Sequence, residues 1–274
     1  EQYSDSLLMV NLDTDMEVFA KEADTKRYPA ALTKVMTYIV AAEYFDDFDT
    51  EIPIKQSCIE AVVNGGMNCS GVDWYVNESL KVTDLLYAVM LPGGHDAAMV
   101  FADYIGQGNL NTFVDMMNQK AEALGCTGTH FTNPFGNHDE NHYTTARDLY
   151  KITRHAMGLP MFSKICATST YYVKEDDDVP FITTNWLIDA ARGGDYYYVY
   201  ATGVKNGSTQ EAGRCLIANA VYDGYAYMCI CLHAPYDESK EENEQYCMVE
   251  AANMFRWAFL NLSFVTPVTK DTPV

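Results

Sequence analysis

The stretch that decides the fold is Tyr28-Pro29-Ala30-Ala31-Leu32-Thr33-Lys34-Val35-Met36-Thr37. Pro29 suits the first turn of a helix, and apolar residues recur after it at the spacing of one helical face. These residues are Leu32, Val35, Met36, Ile39, Val40 and Tyr44. The pattern predicts a helix that begins near Pro29, with Lys34 off the apolar stripe. Free backbone N–H groups and the positive end of the helix dipole lie at this start, and both favour negative charge.

The elements around this helix predict an α+β fold. Two early strands, 6–11 and 16–20, are separated by turn residues and form a hairpin. Apolar periodicity predicts helices at 82–91, 96–105, 110–124, 144–157 and 240–261. Late strands are predicted at 196–205, 214–222 and 225–233, the last two joined by the turn Asp223-Gly224. Together they predict an antiparallel sheet of about five strands flanked by helices on both sides.

Smaller features complete the predicted organisation. Thr144 or Thr145 is the expected cap of helix 144–157. The acidic run 175–178 is typical of a solvated hairpin tip. Since no linker or repeat interrupts the chain, one domain is predicted over 1–265, followed by a tail at 266–274.

The charge of the chain excludes some classes of partner. With 18 basic and 38 acidic residues, the net charge is −20, which is unsuited to nucleic acid or an anionic membrane surface. No run approaches the roughly 20 apolar residues of a membrane span. The chain begins at Glu1, without a methionine or a leader, so a removed signal peptide or trimming is expected.

The cysteines favour buried thiols over a disulfide scaffold. There are 8 in 274 residues, and none of them forms a C-x-x-C motif. If a disulfide exists, Cys58 and Cys69 are the first candidates, because they bracket a short segment that resembles a loop.

Five separated segments carry a resemblance to a known family. They are PAALTKVMT, DLLYAVMLPGGHDAAMVFA, MMNQKAEALGCTGTHFTNPFG, NHYTTARDLYKITRHAM and GVKNGSTQEAGRCLIANA. In this order they resemble the serine-type D-alanyl-D-alanine carboxypeptidases, the low-molecular-mass penicillin-binding proteins. The resemblance implies the fold shared by serine β-lactamases and D,D-peptidases, with a helical lobe as the second wall of the cleft. It also implies an extracytoplasmic protein that acts on peptidoglycan stem peptides, without a cofactor.

The family's first two catalytic motifs are incomplete in this chain. The first motif is S-x-x-K, in which the serine attacks a carbonyl and the lysine helps to move its proton. Here Lys34 is retained, but Ala31 stands where the resemblance places the serine. The second motif, S-x-N, aligns with Gly93-Gly94-His95, so its hydroxyl and its amide are both absent.

The third motif, K-T-G, aligns with Lys205-Asn206-Gly207 and loses a hydroxyl as well. By resemblance, Asn206, Gly207, Ser208 and Thr209 form the substrate-binding edge of the cleft. The implied oxyanion hole uses the backbone N–H groups of Ala31 and Ser208, which need no particular side chain. Lys34 and Lys205 are then a retained anion site or remnants of a lost one.

His95 permits a different interpretation of the cleft. An imidazole there could act as an acid, a base or a metal ligand, but two nearby lysines oppose a bound cation. No H-E-x-x-H or similar zinc spacing exists. No metal site is therefore predicted.

Three functional hypotheses follow. In the first, the protein has lost catalysis and binds muropeptides or a protein partner of the cell envelope, with β-lactams bound at most non-covalently. In the second, it is an authentic serine D,D-carboxypeptidase whose nucleophile was replaced by engineering. In the third, it is a metal-dependent or non-covalent hydrolase that uses His95. Losses at positions 31, 93 and 206 favour the first, because a designer removing a nucleophile would leave the other two motifs intact.

Overall fold

The computed structural model describes residues 2–67, 69–174, 179–237, 239 and 244–263. Its strands are β1 (Ser6–Asn11), β2 (Met16–Lys21), β3 (Glu51–Pro53), β4 (Ser79–Lys81), β5 (Thr170–Tyr171), β6 (Phe181–Ile182), β7 (Ala201–Thr209), β8 (Gly213–Tyr222) and β9 (Tyr225–Ala234). Its α-helices are α1 (Lys34–Tyr44), α2 (Gln56–Asn64), α3 (Val82–Met90), α4 (His95–Ile105), α5 (Leu110–Ala123), α6 (Ala146–Ala156), α7 (Phe162–Cys166) and α8 (Tyr246–Asn261).

The predicted antiparallel sheet is confirmed. Five strands pair in the order β2-β1-β9-β8-β7, so the early hairpin joins the late strands through β1 and β9. The tight turn between β8 and β9 forms at Asp223 and Gly224, which both have positive φ, as a two-residue hairpin requires.

The two faces of the sheet belong to two hydrophobic clusters. Side chains of a strand alternate between faces, and β9 follows this rule. Met228 and Ile230 belong to the cluster shared with the helical lobe, whereas Cys229 and Cys231 belong to the cluster under α8. The sheet is therefore covered on both sides, as predicted.

The helix α1 lies at the centre of the helical lobe. It packs against α3, α4, α5 and α6, and every residue from Lys34 to Ala42 is buried. The apolar stripe predicted one buried face, and this prediction was too narrow. Lys34 is buried although it lies off the stripe, and Tyr44, on the stripe, is exposed.

Two predicted boundaries are corrected. The strand predicted at 196–205 begins only at Ala201, because Gly194–Tyr196 forms a 3₁₀ turn, and it continues to Thr209. The closing helix begins at Tyr246, since Glu244 and Gln245 are not helical, and residues 240–243 lie outside the described part.

Other expectations have mixed outcomes. Thr145 is the cap of α6, because its hydroxyl accepts a hydrogen bond from the Asp148 N–H at 3.0 Å. The acidic run 175–178 and the tail 266–274 lie outside the described residues. The cysteines are all free thiols, including Cys58 and Cys69. In the described part of the chain, no helix is long and apolar enough to cross a membrane.

Candidate active site

The segment that carries Ala31 is a 3₁₀ turn, Ala30–Thr33, which leads directly into α1. Ala30 has φ of 48°, a left-handed conformation that is costly for a residue with a side chain. Gly136 lies directly against the Ala30 carbonyl, since a Cβ placed on Gly136 would lie 1.8 Å from its oxygen. The chain therefore holds a strained turn immediately before the position of the missing nucleophile.

A buried histidine fixes this turn from inside. His142 Nδ1 accepts the Thr132 N–H at 3.0 Å, so its Nε2–H donates to Thr33 Oγ1 at 2.8 Å. The Thr33 hydroxyl in turn donates to the Ala30 carbonyl at 2.8 Å. Burial lowers the pKa of His142 to about 4, which keeps the ring neutral and suited to this chain of hydrogen bonds.

Lys34 lies one helical turn after Ala31 with its amine inside the protein. Its Nζ donates to the Phe135 carbonyl at 2.7 Å. Burial, and then the charge of Lys205, lower the pKa of Lys34 well below its ordinary value, while Asp96 opposes the shift. The lysine is thus held in place by a backbone carbonyl and disfavoured as a cation by its surroundings.

The third motif lies on β7, directly against Ala31. A Cβ placed on Gly207 would lie 2.8 Å from the Ala31 Cβ and 2.6 Å from its nitrogen, so only glycine allows this approach. Lys205 is buried, and burial lowers its pKa to about 8. Thr184 donates from its hydroxyl to Asn206 Oδ1 at 2.7 Å and lies 3.5 Å from Lys205 Nζ.

The second motif approaches the same amine. Gly93 has φ of 76°, and a Cβ placed there would lie 3.1 Å from Lys205 Nζ. Any side-chain atom at position 93 would therefore be in contact with the ammonium group. His95 begins α4, and its ring centroid lies 5.7 Å from that of Phe135.

The structure thus places Gly207 against Ala31 and Gly93 against Lys205, with Lys34 close enough to Lys205 for the charges to interact. The remaining predicted residues lie along the same edge with different contacts. Ser208 is exposed on β7, and the Thr209 hydroxyl accepts the Ala212 N–H at 3.0 Å, which closes the turn into β8.

Sequence reasoning missed Phe135 and Thr184. Phe135 acts through its carbonyl oxygen, which any residue carries, so no side-chain signal points to it. Thr184 lies on the connection after β6, where no motif marks it. Only the folded structure shows that each contacts a site lysine or its neighbour.

One group of possible metal ligands lies beside the site in the described part of the chain. Ligand atoms of Cys69, Asp73 and Asp96 lie within 4.8 Å of one another. The Asp96 carboxylate already accepts hydrogen bonds from Ser70 N, Ser70 Oγ and Val72 N at 2.7–3.2 Å. Burial and the two carboxylates raise the pKa of Cys69 to about 11, so the thiol stays protonated. The group is explained as an anchor of residues 70–72, and His95 is outside it.

With this geometry established, comparison with known proteins identifies the family. A sequence model of the peptidase S11 family, described as D-alanyl-D-alanine carboxypeptidase, matches residues 1–235. The chain belongs to this family. Among its relatives are the D-alanyl-D-alanine carboxypeptidase DacF of Bacillus subtilis, 29% identical over 242 residues, and that of Streptomyces sp. strain K15, 33% identical over 221 residues.

Solved structures of family members share the fold. The Streptomyces K15 DD-transpeptidase is 26% identical with a TM-score of 0.80, and 95% of this chain and 98% of that one are covered. The D-alanyl-D-alanine carboxypeptidase of Mycobacterium tuberculosis H37Rv is 25% identical with a TM-score of 0.80, covering 95% and 92%. The alignments span 88% of this chain and 59% of the Bacillus subtilis relative, and 78% and 75% in the Streptomyces case.

The site offers no side-chain nucleophile at position 31. An alanine methyl cannot attack a carbonyl, and glycine at 93 cannot relay a proton. The donors at the site are the two buried amines of Lys34 and Lys205 and the backbone N–H of Ala31, whereas the Leu32 N–H already donates to the Pro29 carbonyl at 3.2 Å.

Proposed function

We propose that the protein binds the peptidoglycan stem peptides on which D-alanyl-D-alanine carboxypeptidases act, and does not hydrolyse them. The observation that carries the proposal is Ala31 in a site whose positioning groups are otherwise assembled. The expected ligand is a stem peptide or muropeptide, and the expected location is outside the cytoplasm. A protein partner of the cell envelope could share the same cleft.

The size of the chemical loss supports the absence of turnover. Removal of a serine nucleophile of the triad type costs on the order of 10⁶ in kcat. What remains comes from binding and from the oxyanion hole. A covalent acyl intermediate needs a hydroxyl oxygen, which residue 31 lacks.

Neighbouring hydroxyls are poor substitutes for the missing serine. Thr33 is buried, and its hydroxyl hydrogen is committed to the Ala30 carbonyl while His142 donates to its oxygen. Ser208 is exposed on β7. A nucleophile needs a base within hydrogen-bond reach, and neither arrangement supplies one directed at the cleft.

The retained lysines support binding. A buried amine is destabilising unless it is paired, yet Lys34 and Lys205 are both kept inside the site. Their positions beside Ala31 and Gly93 suit an anionic or strongly polar ligand group. Because burial of these two amines destabilises the folded protein, a ligand that pairs with them explains their presence better than a role in the fold does.

Two measurements on the unmodified protein test the proposal. Calorimetric titration with a synthetic stem peptide that ends in D-alanyl-D-alanine should show binding, and an assay for free D-alanine should show no release. Steady release of D-alanine would refute the absence of turnover. No heat and no displacement of a labelled peptide would refute the binding function.

The second candidate function is an authentic serine carboxypeptidase whose serine has been replaced. Family membership and the close approach of Gly207 to Ala31 favour it. Full turnover by Ala31→Ser alone would support it over the first proposal.

The third hypothesis, a hydrolase built on His95, is tested in the same assay. It would be indicated by activity of the unmodified protein that is lost on chelation or in His95→Ala.

A further inference from the structure

A groove of about 370 Å³ lies beside the candidate site, and its walls include Lys26, Tyr28, Glu140, Tyr143 and Glu211. We propose that this groove, named here the tyrosine groove, binds the free side-chain amine of a peptide whose end lies at the site. The tyrosine groove would thereby distinguish a free amine from an acylated one. This inference rests on the proposed binding function and specifies which peptides it favours.

The tyrosine groove is close to the site on two walls. Tyr28 lies three residues before Ala31, and Glu211 lies four residues after Gly207, which itself lies against Ala31. Because an extended chain spans at most about 3.6 Å per residue, Tyr28 and Glu211 lie within roughly 11 and 14 Å of these positions. A peptide with its reacting carbonyl at Ala31 can therefore reach the groove with a long side chain one or two residues upstream.

The other end of β7 is covered. Gly203, Lys205 and Gly207 follow at alternate positions of this edge strand. A Cβ placed on Gly203 would lie 2.9 Å from the Cys166 Cβ, so α7 lies against the start of the strand. A peptide that extends along β7 thus meets α7 in one direction and the tyrosine groove, beyond Thr209, in the other.

Two carboxylates of the tyrosine groove lack a counterion in the described part of the chain. Neither Glu140 nor Glu211 takes part in an ion pair there. Arg27 and His233 also line the groove, but both contact Asp5 Oδ2, at 3.5 and 2.7 Å. An ammonium group on a ligand is the charge that complements the two glutamates.

One ammonium group already lies in the tyrosine groove. Lys26 Nζ is 3.9 Å from the centroid of the Tyr143 ring, which is a cation–π contact. Tyr28 forms a fixed wall, because its ring packs edge-on against His138 with the centroids 4.6 Å apart. Lys26 is exposed, and such a contact is weak at an exposed position, so its side chain can move aside. The protein's own lysine thus shows that an ammonium group is accommodated beside these rings.

The expected selectivity is modest because the two glutamates are exposed. Exposed ion pairs and cation–π contacts are weak individually, and the charge of Lys26 opposes that of the ligand. We expect a peptide with a free amine to bind about fivefold more tightly than its acylated form. The difference should shrink as salt is added, because the charges are screened.

The experiment compares three peptides that end in lysyl-D-alanyl-D-alanine and have a blocked N-terminus. The lysine amine is free in the first, acetylated in the second and succinylated, hence negatively charged, in the third. Calorimetry on the unmodified protein at low salt should give the lowest dissociation constant for the first and the highest for the third. Equal affinities, or tighter binding of a modified peptide, would overturn the inference and leave the proposed function intact. Absence of binding by all three would overturn both.

Substitution of the glutamates locates the amine. The double variant Glu140→Gln, Glu211→Gln should bind the free and the acetylated peptide with equal affinity. Glu122→Gln, the same change on the exposed face of α5, should leave the preference unchanged. A preserved preference in the double variant, at an unchanged melting temperature, would overturn the assignment to the tyrosine groove.

Substitution of Lys26 has the opposite sign. Lys26→Met removes the competing ammonium group, so affinity for the free amine should rise about twofold or more, while affinity for the acetylated peptide stays the same. Lys164→Met, the same change on the exposed face of α7, should alter neither. Weaker binding of the free amine by Lys26→Met would contradict the proposal that the ligand's amine and Lys26 compete.

Discussion

The support of the site and its reacting rim differ sharply. The support consists of the turn before α1, with His142, Thr33 and Gly136 holding Ala30, and its hydrogen bonds form an unbroken chain. The rim, at Ala31, Gly93 and Asn206, has no hydroxyl at the three positions where the sequence resemblance places one in the family motifs. On the proposed function, the groups that position a ligand are retained and those that react with it are replaced, as expected of a protein that still binds.

The largest effect is expected at the support. Gly136→Ala places a Cβ against the Ala30 carbonyl, so the turn or the loop must move, and the free energy of unfolding should fall by about 3 kcal/mol or more. Gly224→Ala is the matched control, because Gly224 also has positive φ but open space around its Cβ, and it should lose about 1 kcal/mol. Urea unfolding of both variants measures the difference. Equal losses of unfolding free energy in the two variants would show that the contact between Gly136 and Ala30 does not contribute to stability.

The buried histidine makes stability depend on pH. The pKa of His142 is lowered to about 4, so the unfolded chain takes up a proton between pH 6.5 and 4 and the folded protein does not. The free energy of unfolding should therefore fall on acidification across this window, by about 3 kcal/mol in total. Comparison of the pH slopes of the unmodified protein, His142→Gln and the exposed control His138→Gln isolates the contribution. An unchanged slope in His142→Gln would contradict a neutral, buried ring.

At the rim, removal of a retained lysine should stabilise the protein. Burial lowers the pKa of Lys205 to about 8. At pH 7 the amine is therefore still charged, and the loss of its hydration destabilises the folded protein. Lys205→Met should raise the free energy of unfolding by about 1–3 kcal/mol, whereas Lys164→Met should change it by less than about 0.5 kcal/mol. Urea unfolding at pH 7 measures both. Marked destabilisation by Lys205→Met would mean that the lysine serves the fold rather than a ligand.

The smallest effect is expected at Thr184. Thr184→Val removes the hydrogen bond to Asn206 in a side chain that is exposed, so stability should fall by about 0.5–1 kcal/mol. Thermal unfolding of Thr184→Val beside the unmodified protein measures this loss. A large stability loss would place Thr184 in the support instead of the rim.

The sequence predicted the helices and strands whose apolar residues recur at a regular spacing. Helices α3 to α6 and the hairpins follow from apolar spacing and turn residues, and they form within a residue or two of the expected limits. The start of β7 was wrong because the tyrosines at 196–200 favour a strand locally, while Gly193 and Gly194 allow a 3₁₀ turn. The burial of Lys34 was missed because an apolar stripe predicts one packed face, whereas helices pack against α1 on several sides.

The candidate site was predictable where side chains carry the motif and unpredictable where the backbone acts. The family motifs placed positions 31, 34, 93, 205 and 207 together, and the structure has them in contact or close to one another. The Phe135 carbonyl and the strained Ala30 leave no trace in residue type. Their roles follow from distances alone.

Intact mass measurement after incubation with a β-lactam tests most directly whether position 31 has lost covalent chemistry and kept its surroundings. The samples are the unmodified protein, Ala31→Ser, and Ala61→Ser, in which the new hydroxyl lies on the exposed face of α2. The predicted result is an adduct of one β-lactam on Ala31→Ser and none on the other two. An adduct on the unmodified protein would contradict the loss of covalent chemistry, and its absence from Ala31→Ser would contradict the retention of a positioned site.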